Sequence, residues 1–253
     1  MIKEFKKDNL KVKTADTRLE MGKEAAKDAA EAIFALQEKK DEINIIFAAA
    51  PSQNETLEAL RNTPGIKWEK INAFHMDEYI GLDKDAPQAF GNFLYEAIFR
   101  HCPFKSVHYI APVSDPDETV GRYTALLNTH HIDIIMMGIG ENGHIAFNDP
   151  PVADFNDKAL IKSVALDPIC RQQQVNDGCF AKIEDVPTHA LTLTIPVFKA
   201  ADKLICSVPA TTKADAVKSV IENENIDETC PATIMRLHKD ATLYLDADSS
   251  AKL

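Results

Sequence analysis

The sequence lacks the paired cysteines of a disulfide framework or a zinc knuckle. Its five, Cys102, Cys170, Cys179, Cys206 and Cys230, are odd in number, scattered, and free of any C-x-x-C spacing. Reduced thiols are the expectation, and with them a cytoplasmic setting. Basic runs are equally scarce, none longer than Lys6-Lys7 or Lys39-Lys40, and the formal net charge is −11 with a pI near 5.2. Nucleic acid and anionic membrane reward a basic surface, so neither is expected as a partner. No apolar stretch approaches the roughly 20 residues that cross a bilayer. The opening Met1-Ile2-Lys3-Glu4-Phe5-Lys6-Lys7-Asp8 has no apolar core of the kind a secretory leader carries. Internal repeats, low-complexity tracts and linkers are absent too, so residues 1–253 are expected to form one α/β domain.

What is present is the composition of a soluble globular chain, 45% hydrophobic and 26% charged. Met21, Ala25, Ala29, Ile33 and Leu36 recur at helical spacing, which predicts an amphipathic helix over Arg18 to Gln37. Ile43 to Ala49 is a continuous apolar run suited to a strand buried on both faces. Further strands are expected at Ile71–Met76, Val107–Ile110, Ile132–Met137, Leu191–Ile195, Leu204–Val208 and Thr242–Leu245. Helices are expected at Glu55–Arg61, Ala86–Arg100, Glu118–Leu127 and Lys213–Glu222. Repeated strand–helix–strand order favours an α/β fold, a Rossmann-like parallel sheet flanked by helices on both faces. Ligands of such sheets bind beyond the carboxyl ends of the strands.

Four segments fall at those ends and carry chemistry. Gly138-Ile139-Gly140-Glu141-Asn142-Gly143-His144 fits the G-x-G-x-x-G spacing of dinucleotide sites, but that motif must open a helix. Here it runs into Ile145-Ala146-Phe147-Asn148-Asp149 and then Pro150-Pro151, a poor helix, so a nicotinamide cofactor is not expected. A glycine-lined loop presenting His144 is the better reading, with Asn142 and Asp149 placed to orient an imidazole that exchanges protons near neutrality. Asp77 and Glu78, in Met76-Asp77-Glu78-Tyr79-Ile80-Gly81-Leu82, are adjacent carboxylates after an apolar strand, where their side chains diverge into different roles. A strand running into Ala50-Pro51-Ser52-Gln53-Asn54 and a helix start is a natural anion site, though Ser52 or Asn54 equally suits a plain N-cap. Lys213 stands at another helix start, where a cation opposes the helix dipole and so suggests an anion to answer.

The Met76–Leu82 and Gly138–Asn148 motifs together resemble the glucosamine-6-phosphate deaminase (isomerase) family, which shares a superfamily with 6-phosphogluconolactonases. The resemblance runs from the first helix to about Leu245. It implies conversion of glucosamine 6-phosphate and water to fructose 6-phosphate and ammonia, with neither metal nor cofactor. It implies Asp77 as the base moving the C2 proton to C1, His144 as the group that opens the pyranose ring, Asp149 as its acidic support and Lys213 as a phosphate ligand. Asn142 stands where some members carry Asp. The Gly/Thr-rich phosphate loop of the family is replaced by Ser52, Gln53 and Asn54, and the nearest counterpart of a phosphate-binding arginine is Arg171. Glu78, Gly138, Gly140 and Gly143 complete the expected substrate-binding set. A small sugar phosphate is the expected partner, a homo-oligomer remains open, and so do three other activities: a 6-phosphogluconolactonase-type hydrolase, a galactosamine-6-phosphate isomerase and a non-catalytic sugar-phosphate sensor.

Overall fold

The computed structural model describes residues 2–110 and 115–253. The strands among them are β1 (Lys3–Lys7), β2 (Leu10–Thr14), β3 (Ile43–Phe47), β4 (Ile71–His75), β5 (Asp77–Tyr79), β6 (Ser106–His108), β7 (Ile134–Met137), β8 (Ile161–Ala165), β9 (His189–Leu193), β10 (Lys203–Val208) and β11 (Ala241–Leu245). The α-helices are α1 (Arg18–Gln37), α2 (Asn54–Arg61), α3 (Phe90–Ala97), α4 (Pro116–Thr129), α5 (Pro168–Asn176), α6 (Ile195–Ala200) and α7 (Ala214–Glu222).

The main sheet has the order β1-β2-β11-β10-β7-β3-β4-β6. From β2 to β6 every neighbouring pair is parallel, and β1 adds an antiparallel edge. Alternation along the central strands sends side chains to two cores. Ile45, Phe47, Ile134 and Met136 join α1, α2 and α3 on one face, while Ile46, Ile135 and Met137 join α4, α6 and α7 on the other. This is why the apolar runs at β3 and β7 read as continuous rather than alternating. The strands β3, β4 and β6 progress one way, whereas β7, β10 and β11 progress the other. The chain order therefore reverses between β3 and β7, which is where an open α/β sheet leaves a crevice.

A second sheet, β5-β9-β8, is antiparallel. Met76 is the bend between the two sheets: the chain leaves β4, and Met76 O accepts a hydrogen bond from Leu193 N at 2.8 Å as β5 begins on Asp77.

Several expectations need correction. The strand placed at Leu191–Ile195 is β9, belongs to the small sheet and stops at Leu193, because Thr194 and Pro196 start α6. The helix placed at Ala86–Arg100 is shortened to α3: an Asp83 Asx turn accepts from Asp85 N, and Pro87 disfavours helical geometry at Ala86. The hairpin β1–β2, the small-sheet strands β5 and β8, and helix α5 lie in segments assigned no element from the sequence.

Candidate active site

A cleft of about 770 Å³, part of it open to bulk solvent, lies over the carboxyl ends of β4, β3, β7 and β10, the four strands around the chain reversal. Asp77 and His144 both line it, together with Ser52, Gly138, Gly140 and Lys213.

His144 is presented by a loop whose hydrogen bonds are local. Gly140 N donates to His144 O at 2.9 Å and Gly143 N to Gly140 O at 3.0 Å. Gly143 takes a φ of +80°, and a side chain there would strike Cys230 Sγ. Gly140 is needed for space instead: a Cβ on it would lie 2.1 to 2.4 Å from three atoms of the His144 ring. The imidazole Nδ1 sits 2.8 Å from Asn142 Oδ1 and 2.9 Å from Asp149 Oδ1. Asn142 Oδ1 also accepts from His144 N, so its amide nitrogen is the atom that donates to Asp149 Oδ1, at 2.9 Å. Two oxygens around Nδ1 make it the donor and leave Nε2 as the basic nitrogen. Burial pushes the Asp149 carboxyl up, yet the bonds from His144 and Asn142 outweigh it and hold the group below the usual range. Asn142 and Asp149 thus stand behind His144, outside the cleft wall.

Asp77 is in a different state. It is nearly buried, and no hydrogen bond to its carboxyl is found among the described residues. Burial, reinforced by the charge of neighbouring Glu78, pushes its carboxyl well above the ordinary aspartate range. That environment favours the protonated carboxyl over a permanently charged one. Adjacent Glu78 faces the other way and caps α3, accepting from Phe90 N and Tyr79 N on one oxygen, both at 3.0 Å, and from Gly91 N on the other at 2.9 Å. Ala89, the N-cap residue, offers no side-chain bond of its own, so Glu78 fills that need from outside the helix.

Another side of the cleft is built by two helix starts. The turn Pro51–Gln53 leads into α2, and Thr211–Lys213 leads into α7, both at strand ends on the cleft. Ser52 lines the cleft. Gln53 is fully buried beneath it, with Nε2 donating to Ser52 Oγ and Met137 O at 3.1 Å and to Ser207 O at 3.3 Å. Asn54 begins α2 away from the cleft. Lys213 is almost fully buried, and among the described residues its ammonium makes neither a hydrogen bond nor an ion pair. Burial lowers its ammonium pKa, against the pull of Asp177 and Glu141. A buried cation left so is costly unless an anion pairs with it.

Arg171 does not reach the cleft. Its Nη2 donates to Ile183 O at 2.7 Å and Val186 O at 2.8 Å, bracing the turn after α5. Gln173 and Gln174 of α5 and its C-cap Asp177 line the cleft, whereas the Arg171 guanidinium is taken up by those two carbonyls. Gln173, Gln174 and Asp177, with Arg18 and Thr212, are cleft residues that the sequence reading missed. Asp167-Pro168 was the available signal: Asp167 is the N-cap of α5, accepting from Ile169 N at 2.8 Å, with proline in the first turn.

Among the described residues the grouping of metal-ligand type atoms is His144, Asp149 and Cys170, all within 4.8 Å. Burial and the Asp149 charge push the Cys170 thiol well up, which holds it as a thiol rather than the thiolate a metal takes.

A largely buried carboxyl and an oriented imidazole share one cleft, at the reversal point of a doubly wound sheet, the place where α/β enzymes of this class bind their ligands. Residues 16–244 match the family of glucosamine-6-phosphate isomerases/6-phosphogluconolactonase, and the chain belongs to that family. Among its relatives, a glucosamine-6-phosphate deaminase of Listeria innocua is 33% identical over 213 residues, 84% of this chain and 88% of the relative. One from Exiguobacterium sibiricum is 34% identical over 184 residues, 72% and 71% of the two chains. A solved structure described as a monomeric glucosamine-6-phosphate deaminase superposes with a TM-score of 0.85 at 27% identity, over 96% of this chain and 99% of that one. A 6-phosphogluconolactonase from Trypanosoma brucei shares the fold, with a TM-score of 0.80 at 15% identity over 96% and 98%.

Proposed function

We propose that the chain is a glucosamine-6-phosphate deaminase, releasing fructose 6-phosphate and ammonia from glucosamine 6-phosphate and water. The observation that carries this reading is the joint presence of Asp77, His144 and the unpartnered Lys213 on one cleft. The phosphate is held by Lys213 and the two helix starts. His144 Nε2 passes a proton between the anomeric hydroxyl and the ring oxygen, so that the C1–O5 bond opens to the aldehyde. Asp77 then takes the proton from C2 and returns it to C1, leaving an imine carbon at C2 that water hydrolyses to the ketone with loss of ammonia. Each assisted proton transfer is worth roughly 10²–10⁴ in rate.

Water supplies the oxygen at C2 and no electrons leave the substrate, so the residues on the cleft account for the proton inventory. The family takes in both activities, and the deaminase relatives at 33–34% identity support the deaminase over the lactonase branch. Incubation with glucosamine 6-phosphate, followed by assay of ammonia and of fructose 6-phosphate in equal amounts, tests the reading. Acid release from 6-phosphogluconolactone without ammonia from the amino sugar would overturn it. Ammonia release from galactosamine 6-phosphate, whose ketose product keeps its own C4 configuration, decides the C4 epimer.

A further inference from the structure

We propose that Arg18 is the second cation of the anion site, gripping the substrate phosphate with the free edge of its guanidinium while Glu55 and the Pro51 carbonyl hold the rest; this rests on the sugar-phosphate reading of the cleft. A phosphate monoester carries nearly two charges at neutral pH. Lys213 answers one, and Asp177 on the same wall subtracts from what Lys213 offers. The loop beneath is poor in donors: Pro51 has no N–H, and the Gln53 amide is turned inward to Met137 and Ser207 carbonyls. A further donor is needed, and Arg18 lines this cleft.

Its position follows from the packing of α1 on α2. Gly22 lies four residues on, on the same helix face, and a Cβ there would fall 2.5 Å from Glu55 Cβ and 2.9 Å from the Glu55 carbonyl carbon. Only glycine lets the first turns of α1 and α2 meet so closely, and this contact brings Arg18 over the Pro51 turn. There Arg18 Nε donates to Glu55 Oε1 at 2.7 Å and Nη2 donates to Pro51 O. Among the described residues Nη1 makes no hydrogen bond. Arg18 opens its helix, where a cation opposes the dipole, so helix stability does not account for it. A surface ion pair explains the Glu55 contact alone. It does not explain a fork anchored at two points on the rim of an anion cleft, which is the arrangement that recognises phosphate.

Inorganic phosphate is the probe, titrated by calorimetry into the wild-type chain, Arg18→Gln, Glu55→Gln and Lys213→Ala, with a melting curve on each to show that it is folded. Arg18→Gln and Lys213→Ala are expected to weaken phosphate binding by about tenfold or more, and Glu55→Gln by a few-fold, through the looser guanidinium. In turnover of glucosamine 6-phosphate, Arg18→Gln raises KM by a similar factor with kcat little changed. Wild-type affinity in folded Arg18→Gln, with binding lost in Lys213→Ala, overturns the role of Arg18 and leaves the sugar-phosphate reading standing. Absence of phosphate binding by the wild-type chain overturns both. Should Arg18→Gln fail to fold, Arg18→Lys carries the test: a several-fold weaker Kd supports the proposal, and an unchanged one overturns it.

Discussion

Asp77 holds a carboxyl where burial and a second carboxylate both penalise its charge, and two measurable consequences follow. As a base it works only when ionised, so kcat/KM should fall with pH through a limb lying well above the ordinary aspartate pKa of about 3.9. A pH–rate profile in the free-enzyme parameter reads this limb directly. The stability effect has the opposite sense. Because the folded-state pKa is raised, the native chain binds the proton more tightly than the unfolded chain, and stability declines as pH rises from the unfolded toward the folded value. Asp77→Asn should therefore abolish turnover yet melt higher than wild type at neutral pH, with the difference closing below about pH 4. Gly140→Ala makes a complementary prediction. Its methyl collides with the imidazole, so kcat should drop by about 10²-fold or more through displacement of His144, while circular dichroism shows an intact fold. Asp77, His144, Asn142 and Asp149 were legible in the sequence because each motif is contiguous and follows an apolar strand. Glu78 was expected at the substrate, and its cap on α3 was not legible, since its three backbone partners come from residues 79, 90 and 91 and a cap supplied from another element leaves no local signature.

At the scale of elements, the central strands of the main sheet were readable, as was β9, whereas the β1–β2 hairpin and the small-sheet strands β5 and β8 were not. Buried parallel strands announce themselves as apolar runs, whereas β5 has three residues, Asp-Glu-Tyr, and takes its strand geometry from pairing with β9. The same dependence on distant partners hid the contribution of Arg18, whose place at the cleft is set by Gly22 against Glu55. Two elements hold the site's geometry in ways that can be tested. Asn148 ties the His144 loop to the small sheet, donating to Ile145 O at 2.9 Å and Leu193 O at 2.7 Å. Asn148→Ala removes two buried hydrogen bonds, although Ile145 O keeps Asn148 N and Leu193 O keeps Thr192 Oγ1 as donors, and a loss of about 1–3 kcal/mol is expected in a denaturant titration. Ala210, which leads into α7 and Lys213, holds φ +84° and ψ +150°, a region natural to glycine, while its N–H is taken by both oxygens of Asp246. Ala210→Gly should raise stability by about 1 kcal/mol and also raise KM, because the turn that presents Lys213 becomes looser.

For the whole molecule, a net charge of −11 does not stand against the proposed anionic substrate, because Arg18 and Lys213 both line the cleft. Anion affinity should therefore register in global stability. At a ligand concentration of 100 Kd, fructose 6-phosphate should add about 2.7 kcal/mol. This is a rise of roughly 5–10 °C in the melting temperature of a chain this size, and Lys213→Ala should lose it. Among the described residues no helix is long and apolar enough to cross a membrane. The bend at Met76 has a consequence for how such a catalyst can be tuned. It puts the Asp77 carboxyl on one leaf of the structure and the His144 loop on the other, and beside them the rings of Tyr79, Phe90, Phe147 and Phe180 pack on one another across α3, β5 and the loop. Evolution, or an engineer, can then shift one leaf against the other by trading aromatic volume at Tyr79 or Phe180, which stand off the cleft, while its wall keeps every side chain.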